Sequence, residues 1–372
     1  MSLFNGALTG LKVIDASRVL GGPICGQMLG DHGADVLKVE APAGDDTRTW
    51  SPPDLGPVSA YFSGANRNKS ACVLDFNDST DFEKFKELLA DADVLIENFR
   101  PESTRRWGLT PELTRTLNPR LIHCRVSGFG DKGPMAGLPA YDTAIQAQCG
   151  LMSVNGDAQS GPLRVGLPVV DMTTGMSAMI GILLALQARQ VTGLGQFVET
   201  TLFANAVALL HPHTSNYFAS GKVPALTGNA HPNIYPYDSF ETQTGAIYLA
   251  IGNDRQFRLF CEYIGQPTLA DDPDYATNPQ RSIKRAQLRA ILQPLLCQMD
   301  GNALTDNLVR KGVPCAPVSN VAEVLNSEQT SAMGLIVDLP NGYRGIASPI
   351  QLSDTPATYR QSPPLHPNES RK

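Results

Sequence analysis

Short β-type runs alternate with helix-patterned segments along the first 130 residues. The links between them are short, which favours parallel strand pairs. This alternation predicts an α/β fold with a Rossmann-like, mostly parallel sheet and helices on both faces. The five predicted strands are Leu11–Asp15, Asp35–Glu40, Ser70–Phe76, Asp93–Glu97 and Leu121–Ser127.

Helix signals fall between these strands. Pro23 is well placed to open a helix over about Ile24–His32. Thr80 and Glu83 have capping-box spacing ahead of a helix that runs to Ala90. Thr110, followed by Pro111 and Glu112, predicts the cap of a further short helix.

The second half of the chain is patterned differently. A strand and a helix are predicted in Phe197–Leu210, and residues 211–236 are Pro-rich and irregular, as expected of a crossing between domains. One strand, Gly245–Ile251, precedes three predicted helices, Arg255–Ile264, Ser282–Met299 and Leu304–Lys311. We therefore expect a large domain of residues 1–215 plus 325–372 and a small α+β domain of residues 225–320.

The stretch 163–196 carries the most distinctive candidate chemistry. An apolar run, Val165–Val170, suggests a strand, and Met176–Ala188 suggests a buried helix. Asp171 would then face the free N–H groups of a helix start, which favour an ionised carboxylate able to attack an acyl carbon. The alternative is that Asp171 only caps the helix.

Ligands of parallel sheets bind at the carboxyl ends of the strands. Leu20, Phe76 and Asn98 follow predicted strands at that edge and become candidates. The Gly-rich residues 128–162 could bring backbone amides to a ligand or form a plain surface loop. A nicotinamide or flavin site is disfavoured because the G-x-G-x-x-G fingerprint is absent.

Composition narrows the functional classes. The chain has 372 residues, which suggests two domains, and a formal net charge of −6 without a basic run, which argues against nucleic acid and anionic membranes as partners. No secretory signal is visible, and the apolar helix predicted at 176–188 is too short to span a bilayer. Seven cysteines without a CxxC motif favour reduced thiols in the cytoplasm, and no ligand spacing predicts a metal.

Several distinctive blocks follow one another along the chain. They are TGLKVIDASRVLGGP (9–23), GADVLKVE (33–40), NRNKSACVLD (66–75), DVLIENFRP (93–101), VSGFGDKGP (126–134), AYDTAIQAQCG (140–150), VGLPVVDMTTG (165–175) and ARQVTGLGQ (188–196). In this order the blocks resemble the family III CoA-transferases, the group that includes formyl-CoA transferase, carnitine CoA-transferase and α-methylacyl-CoA racemase. The resemblance runs almost end to end.

This resemblance implies that Asp171 is a nucleophile that forms aspartyl anhydrides and an aspartyl–CoA thioester. CoA and acyl-CoA would be substrates, a small carboxylic acid the second substrate, and no cofactor would be permanently bound. The family also implies an interlocked homodimer. By position, the implied CoA contacts are Val19, Leu20, Gly21, Leu74, Asp75, Phe76, Asn77, Asn98, Phe99, Arg100, Arg106 and Tyr141.

Some positions depart from the family pattern. Ala41 replaces a frequent arginine, so Arg48 or Lys69 is expected to hold the adenosine phosphate instead. Pro139 stands where some members carry a lysine. The glycine-run loop that covers the oxalate site of formyl-CoA transferase is absent from residues 225–320, so oxalate is not expected.

Two alternatives share the fold. A racemase would need a second acid/base group, yet Tyr141-Asp142 stands where that branch has a histidine. A CoA-binding protein without activity would use Asp171 only as a cap. For a transferase, a small dicarboxylate is the expected substrate, with histidines in residues 211–240 as candidates for its second carboxylate.

Overall fold

The computed structural model describes residues 6–55 and 58–367, apart from the side chain of Asn341. The chain forms two compact units. The larger contains the described residues up to Cys149, Val165–Leu209 and those from Ser327 onward, and the smaller contains Gly150–Arg164 and Leu210–Asn326. Residues 150–164 were expected in the large domain. They belong to the smaller unit, where Gly228 N donates to Gly156 O at 2.8 Å.

The strands are β1 Lys12–Asp15, β2 Asp35–Glu40, β3 Asp54–Leu55, β4 Val58–Ser59, β5 Lys69–Val73, β6 Val94–Glu97, β7 Ile122–Ser127, β8 Gly156–Asp157, β9 Gly161–Pro162, β10 Phe197–Thr201, β11 Tyr237–Thr242, β12 Gly245–Ala250, β13 Cys315–Pro317, β14 Ile336–Leu339 and β15 Tyr343–Ile346.

The helices are α1 Gly21–Asp31, α2 Ala60–Ser63, α3 Ser79–Ala90, α4 Pro101–Trp107, α5 Pro111–Leu117, α6 Asp142–Gln148, α7 Leu151–Val154, α8 Val169–Thr192, α9 Leu202–Ala208, α10 His213–Ser220, α11 Asp254–Tyr263, α12 Asn278–Ile283, α13 Arg285–Leu296, α14 Gly301–Arg310, α15 Val321–Leu325 and α16 Glu328–Ala332.

A six-stranded sheet forms the centre of the larger unit. Its order is β10-β7-β6-β1-β2-β5, and every neighbouring pair is parallel. The predicted parallel α/β sheet is therefore confirmed. The chain reverses its direction of winding between β1 and β6, and this switch point is where open parallel sheets bind ligands.

Helices cover both faces of this sheet. On one face α8 packs against α1, β7 and β10. On the other face Phe85 and Leu89 of α3 are fully buried against Ile14 and Leu95 of the sheet. With both faces covered, the strand interiors are apolar, as in other parallel sheets.

The start of helix α8 differs from the sequence prediction. The expected strand Val165–Val170 does not form; instead the helix begins at Val169 and continues to Thr192. Pro168 occupies the N-cap position and supplies the fixed φ, here −75°, that commonly precedes a helix. Asp171 therefore lies inside the first helical turn rather than ahead of it.

Helix α8 is also longer than predicted. By length and composition alone its 24 residues could cross a membrane, a test that core helices of soluble proteins also pass. Its inner side is buried, including Val170, Ala178 and Ile182. Its outer side exposes a stripe of apolar residues, which are Met176, Ile180, Leu183, Leu184 and Val191.

The expected capping box at Thr80 and Glu83 is wrong. Helix α3 starts two residues earlier than that box implies, at Ser79, and Asp78 is its cap. The Asp78 carboxylate accepts the backbone N–H groups of Thr80 at 2.8 Å and Asp81 at 3.2 Å. Aspartate outranks threonine as an N-cap residue, which explains the choice.

The smaller unit contains an antiparallel sheet of order β11-β12-β13. Helices α13 and α14 pack on this sheet, and α11 packs on α14. Phe257, Phe260, Leu288 and Leu292 are completely buried in its core. Strand β11 and helix α10 were missing from the sequence prediction. Helix α10 lies within residues 211–236, which were treated as irregular, and β11 follows that segment.

Candidate active site

Two loops meet at the switch point of the parallel sheet. Arg18 N, after β1, donates to Asn98 Oδ1 at 3.0 Å, and Asn98 Nδ2, after β6, donates back to Arg18 O at 2.8 Å. This reciprocal pair holds the carboxyl ends of the two central strands in one position. The turns that follow β1 and β6 therefore form one rigid edge.

Val19 has a left-handed backbone, with φ of 71°. For a β-branched residue this conformation is strained, and such strain concentrates at functional sites. Asp45 supports it by accepting Val19 N at 3.3 Å, and Asp45 is in turn paired with the fully buried Lys38 at 3.0 Å. Burial opposes ionisation of Asp45, but Lys38 and donors from Thr47 outweigh it and lower the pKa of Asp45.

Asp171 is the third residue of α8 and does not cap the helix. Helix α1 passes beside it at Gly21, where an added Cβ atom would lie 3.7 Å from Asp171 Oδ1. No side chain caps α1, and its first two residues are glycines. The Asp171 carboxylate therefore lies beside the backbone of α1, with no side chain between them at Gly21. The capping role that was the alternative for Asp171 is taken by another residue.

That residue is Asp142, the first residue of α6. Asp142 Oδ2 accepts the N–H groups of Val170 at 2.8 Å and of Asp171 at 3.1 Å. The donors expected to favour ionised Asp171 are thus occupied by a second carboxylate. Burial, and then the negative charge of Asp142, raise the pKa of Asp171 to about 7. Burial and Asp142 therefore shift the pKa of Asp171 in the direction opposite to the one expected from a helix start.

Asp171 opens into a cavity of about 160 Å³. Tyr141 stands at this cavity with 61% of its surface exposed. Of the residues predicted to contact CoA, seven line it: Val19, Leu20, Gly21, Asn98, Phe99, Arg100 and Tyr141.

A second cavity, of about 400 Å³, lies at the ends of β2, β5 and β6. Trp107 and Phe99 stand edge to face with centroids 5.2 Å apart, and Phe76 contacts both rings. Such an aromatic cluster suits a planar base. The predicted residues Leu74, Asp75, Phe76 and Asn77 all line this cavity.

Arg18, Phe99 and Arg100 line both cavities. The two cavities therefore adjoin, with two exposed guanidinium groups between them. Arg106 lines neither cavity; it is exposed on α4, with its guanidinium 5.5 Å from the centroid of the Trp107 ring. The family resemblance implied Arg106 as a CoA contact and did not point to Arg18.

Arg48 and Lys69, which were expected to replace the family arginine absent at Ala41, both bind acidic side chains of the protein itself. Lys69 is buried completely and donates to Asp15 at 2.8 Å and to Asn66 Oδ1 at 2.8 Å. Arg48 makes two bonds to Glu40, at 2.6 and 2.8 Å. Neither side chain lines the cavity, although Ala41 does. The suggestion for Arg48 and Lys69 is therefore wrong.

Three glycines of the 128–162 segment, Gly128, Gly130 and Gly137, line the Asp171 cavity. Gly130 N donates to Ser127 Oγ and Gly137 N to Gly130 O, both at 3.1 Å. These two amides are therefore occupied within the loop. Among the described residues, no group of three or more His, Cys, Asp or Glu side chains has the arrangement of a metal site.

Three functional side chains escaped sequence reasoning. Asp142 was considered only as a replacement for a racemase histidine, and Trp107 and Arg18 were not considered. Trp107 had a signal, since an aromatic side chain at the end of the short helix that follows a strand-end Phe99 can pack beside it. The pairing of Asp142 with α8 spans 28 and 29 residues and had no local signal.

The chain resembles proteins of known family throughout its length. The family model described as CoA-transferase family III matches residues 8–369. A succinate–glutarate CoA-transferase of Agrobacterium fabrum is 38% identical over 98% of this chain and 94% of that protein. The crystal structure of a CAIB/BAIF family protein from Brucella suis superposes with a TM-score of 0.87 at 39% identity, covering 99% of this chain and 98% of the other.

An acetyl-CoA:oxalate CoA-transferase of Acetobacter aceti is also 39% identical, over 94% of this chain and 90% of that protein. These relatives carry CoA-transferase names at high coverage, and the family uses CoA thioesters as substrates. The chain belongs to the CoA-transferase family III and is a CoA-transferase.

Proposed function

We propose that Asp171 is the nucleophile that carries the acyl group and CoA in turn. Its carboxylate attacks the donor thioester and expels CoA thiolate, which leaves a mixed anhydride on the enzyme. The thiolate then attacks the Asp171 carbonyl, releases the donor acid and forms an aspartyl–CoA thioester. The acceptor carboxylate attacks this thioester to form a second anhydride, and CoA thiolate takes the new acyl group, which restores Asp171.

The placement of Asp171 carries this proposal. It is the carboxylate that stands at the start of a helix without capping it, next to the bare backbone of Gly21. Its pKa of about 7 keeps a large ionised fraction near neutral pH while making the carboxylate more basic than a solvated aspartate. A partly buried site also protects anhydrides from hydrolysis.

The two cavities suggest a path for CoA. The adenine ring would lie in the larger cavity beside Phe76 and Trp107, and the phosphates would lie beside Arg18 and Arg100, where the cavities adjoin. Guanidinium groups suit this role because they bind phosphate oxygens in pairs. The thioester end would then reach Val19, Leu20 and Gly21 next to Asp171. Arg106 stays a candidate at the rim, beside Trp107.

For the acids we propose a small dicarboxylate, with a succinyl donor and a five-carbon acceptor as the first pair to test. The support is the name of the Agrobacterium fabrum relative, and the Acetobacter aceti relative adds acetyl-CoA and oxalate to the panel. No resident cofactor or metal is needed, because the nucleophile is a side chain. The seven cysteines, all within the described part of the chain, form no disulfide, which suits a reducing compartment, and we propose the cytoplasm.

We also propose that the working enzyme is a homodimer, interlocked as the family resemblance implies. The outer stripe of α8 supports this, since Ile180 is 58% and Leu184 66% exposed. A continuous apolar face of this kind normally marks an interface. Light scattering should give twice the chain mass, and Leu184→Glu should lower it, whereas Lys84→Glu on α3 should not.

Trapping of the acylated side chain tests the proposed nucleophile. The enzyme is incubated with succinyl-CoA and hydroxylamine, digested, and analysed by mass spectrometry. We expect a hydroxamate at Asp171 and none in Asp171→Asn or without acyl-CoA. An unmodified Asp171 under turnover, or rapid α-deuteration of a 2-methylacyl-CoA without any acceptor acid, would contradict the proposal.

A further inference from the structure

The carboxylate that caps helix α8 belongs to another helix, α6. Pro168 at the N-cap has no polar side chain, so the first-turn N–H groups need other acceptors. Asp142 Oδ2 accepts two of them, those of Val170 and Asp171. A carboxylate buried to 7% exposure thus lies directly at the backbone of Asp171.

Asp142 is itself held in one orientation. Its other oxygen, Oδ1, accepts Gln146 Nε2 at 2.6 Å. The fully buried Gln146 in turn accepts the backbone N–H of Val165 at 2.8 Å through Oε1. The pair therefore fixes both the loop that enters α8 and the first turn that carries Asp171.

We infer that Asp142 is a positioning residue for CoA transfer: by occupying the two N–H groups of the α8 start, its carboxylate orients Asp171 and keeps it a strong nucleophile. This inference rests on the proposed role of Asp171. It assigns a purpose to a second carboxylate that does not contact the thioester in the proposed path.

A raised pKa of Asp171 favours the attack of its carboxylate on a thioester. A carboxylate that attacks a thioester expels a thiolate, and a thiol has a pKa of about 8.5. An aspartate at its ordinary pKa of 3.8 is a far weaker base than the thiolate leaving group. The thiolate would therefore attack the anhydride and re-form the starting thioester. Burial and the Asp142 charge bring the pKa of Asp171 to about 7, which makes acyl exchange between oxygen and sulfur more even.

Other charges around Asp171 do not replace this effect. Burial raises the pKa of Tyr61 on α2 to about 12, with Asp171 and Asp142 contributing, so Tyr61 stays neutral. Arg18 is paired with Asp46 at 3.2 Å, and Arg125 with Glu97 at 2.7 Å. The charged or titratable side chains that line the Asp171 cavity are Arg18, Asp46, Arg100, Arg125, Asp131, Tyr141 and Glu199.

The pH profile of Asp142→Asn tests the inference. Asparagine keeps one oxygen for the N–H groups but removes the charge. We expect the acidic limb of kcat/KM to move about one pH unit lower, because a like charge beside Asp171 is removed. We expect kcat on the plateau to fall a few-fold, because a less basic carboxylate is a weaker nucleophile. The KM for acyl-CoA should not change.

Asp78→Asn is the matched control, because Asp78 also accepts two first-turn N–H groups, at the start of α3. It should leave the pH profile in place. Asp142→Ser, which also offers a neutral capping oxygen, should shift the limb as Asp142→Asn does. Thermal melting checks that each variant is folded.

An acidic limb that stays in place in both folded Asp142 variants would overturn the inference, whether or not the rate falls, since a loss of rate alone would mean a purely structural cap. The hydroxylamine experiment on the unmodified enzyme separates the two proposals. Without a hydroxamate the role of Asp171 fails; with one and an unmoved limb, only the role of Asp142 fails.

Discussion

Gly21 lies so close to Asp171 that a methyl group at position 21 would contact its carboxylate, 3.7 Å from Oδ1 and 3.5 Å from the backbone oxygen of Asp171. These are ordinary van der Waals distances, so alanine would fit. In the proposed mechanism, it would nevertheless occupy the space through which the thioester carbonyl approaches Asp171.

Gly21→Ala should therefore remove activity without unfolding the protein. We expect kcat/KM to fall at least tenfold, about 1.4 kcal/mol of transition-state stabilisation, while the melting temperature stays within a few degrees. Gly64→Ala is the matched control, because its Cβ also meets nothing closer than 3.5 Å. Full activity of Gly21→Ala would mean that the thioester approaches from another side.

Gly175→Ala should instead destabilise the fold. One turn after Asp171, a Cβ at position 175 would lie 2.6 Å from Gly21 O and would collide with Ile24 Cγ2. Overpacking of this kind costs about 1–3 kcal/mol, and separation of α1 from α8 should also misplace Asp171. Urea unfolding and turnover should both show losses, whereas Gly166→Ala, with no atom within 4 Å, should show neither. Normal stability of Gly175→Ala would disprove this packing.

Asp171→Asn should stabilise the protein, and more so at higher pH. The pKa of Asp171 is raised from 3.8 to about 7, so folding disfavours its ionised form. When folding raises the pKa of an acid, the unmodified protein is most stable at low pH. It loses stability as the pH rises towards the pKa of that acid in the folded state. The advantage of the variant in free energy of unfolding should grow from about pH 4 to about pH 7 and reach about 2 kcal/mol, a value reduced for remaining solvent exposure.

Urea unfolding of both proteins across this pH range measures the difference. A gap that stays constant with pH would mean that Asp171 titrates alike in the folded and unfolded states. Such a result would contradict the desolvated environment described for this carboxylate.

Arg100→Ala should weaken CoA binding. Arg100 lines both cavities, and a charge-assisted bond to phosphate contributes about 1.5–3 kcal/mol. We expect the KM for acyl-CoA to rise about tenfold or more with little change in kcat. Arg105→Ala is the matched control, because Arg105 is exposed on α4 and lines neither cavity. Equal effects of both changes would place the phosphates elsewhere.

Local patterns predicted much of the larger unit. Strand Asp35–Glu40 was predicted with its observed bounds because an apolar run there is bracketed by glycine and proline. The Val165–Val170 run misled, because a β-branched apolar segment looks alike in a strand and in a helix start. Pro168 within this run, and the Asp142 carboxylate that accepts the N–H of Val170, decide between them.

Asp171 itself could be singled out from sequence, but its environment could not. Its pKa depends on α6 packing against α8, and the larger cavity depends on Phe76, Phe99 and Trp107 arriving from three segments. These are tertiary contacts between residues far apart in the chain. Local propensity carries no information about them, which is why Lys69 was mistaken for a ligand rather than a buried partner of Asp15.

Transfer of a labelled oxygen atom into Asp171 is the sharpest test of the proposed anhydride on this side chain. An acceptor acid that supports turnover is labelled with heavy oxygen in both carboxylate positions, and the reaction is run as a single turnover with enzyme in excess. The account predicts one heavy oxygen in Asp171 and one in the new thioester. An unlabelled Asp171 with the heavy oxygen in the released donor acid would contradict it.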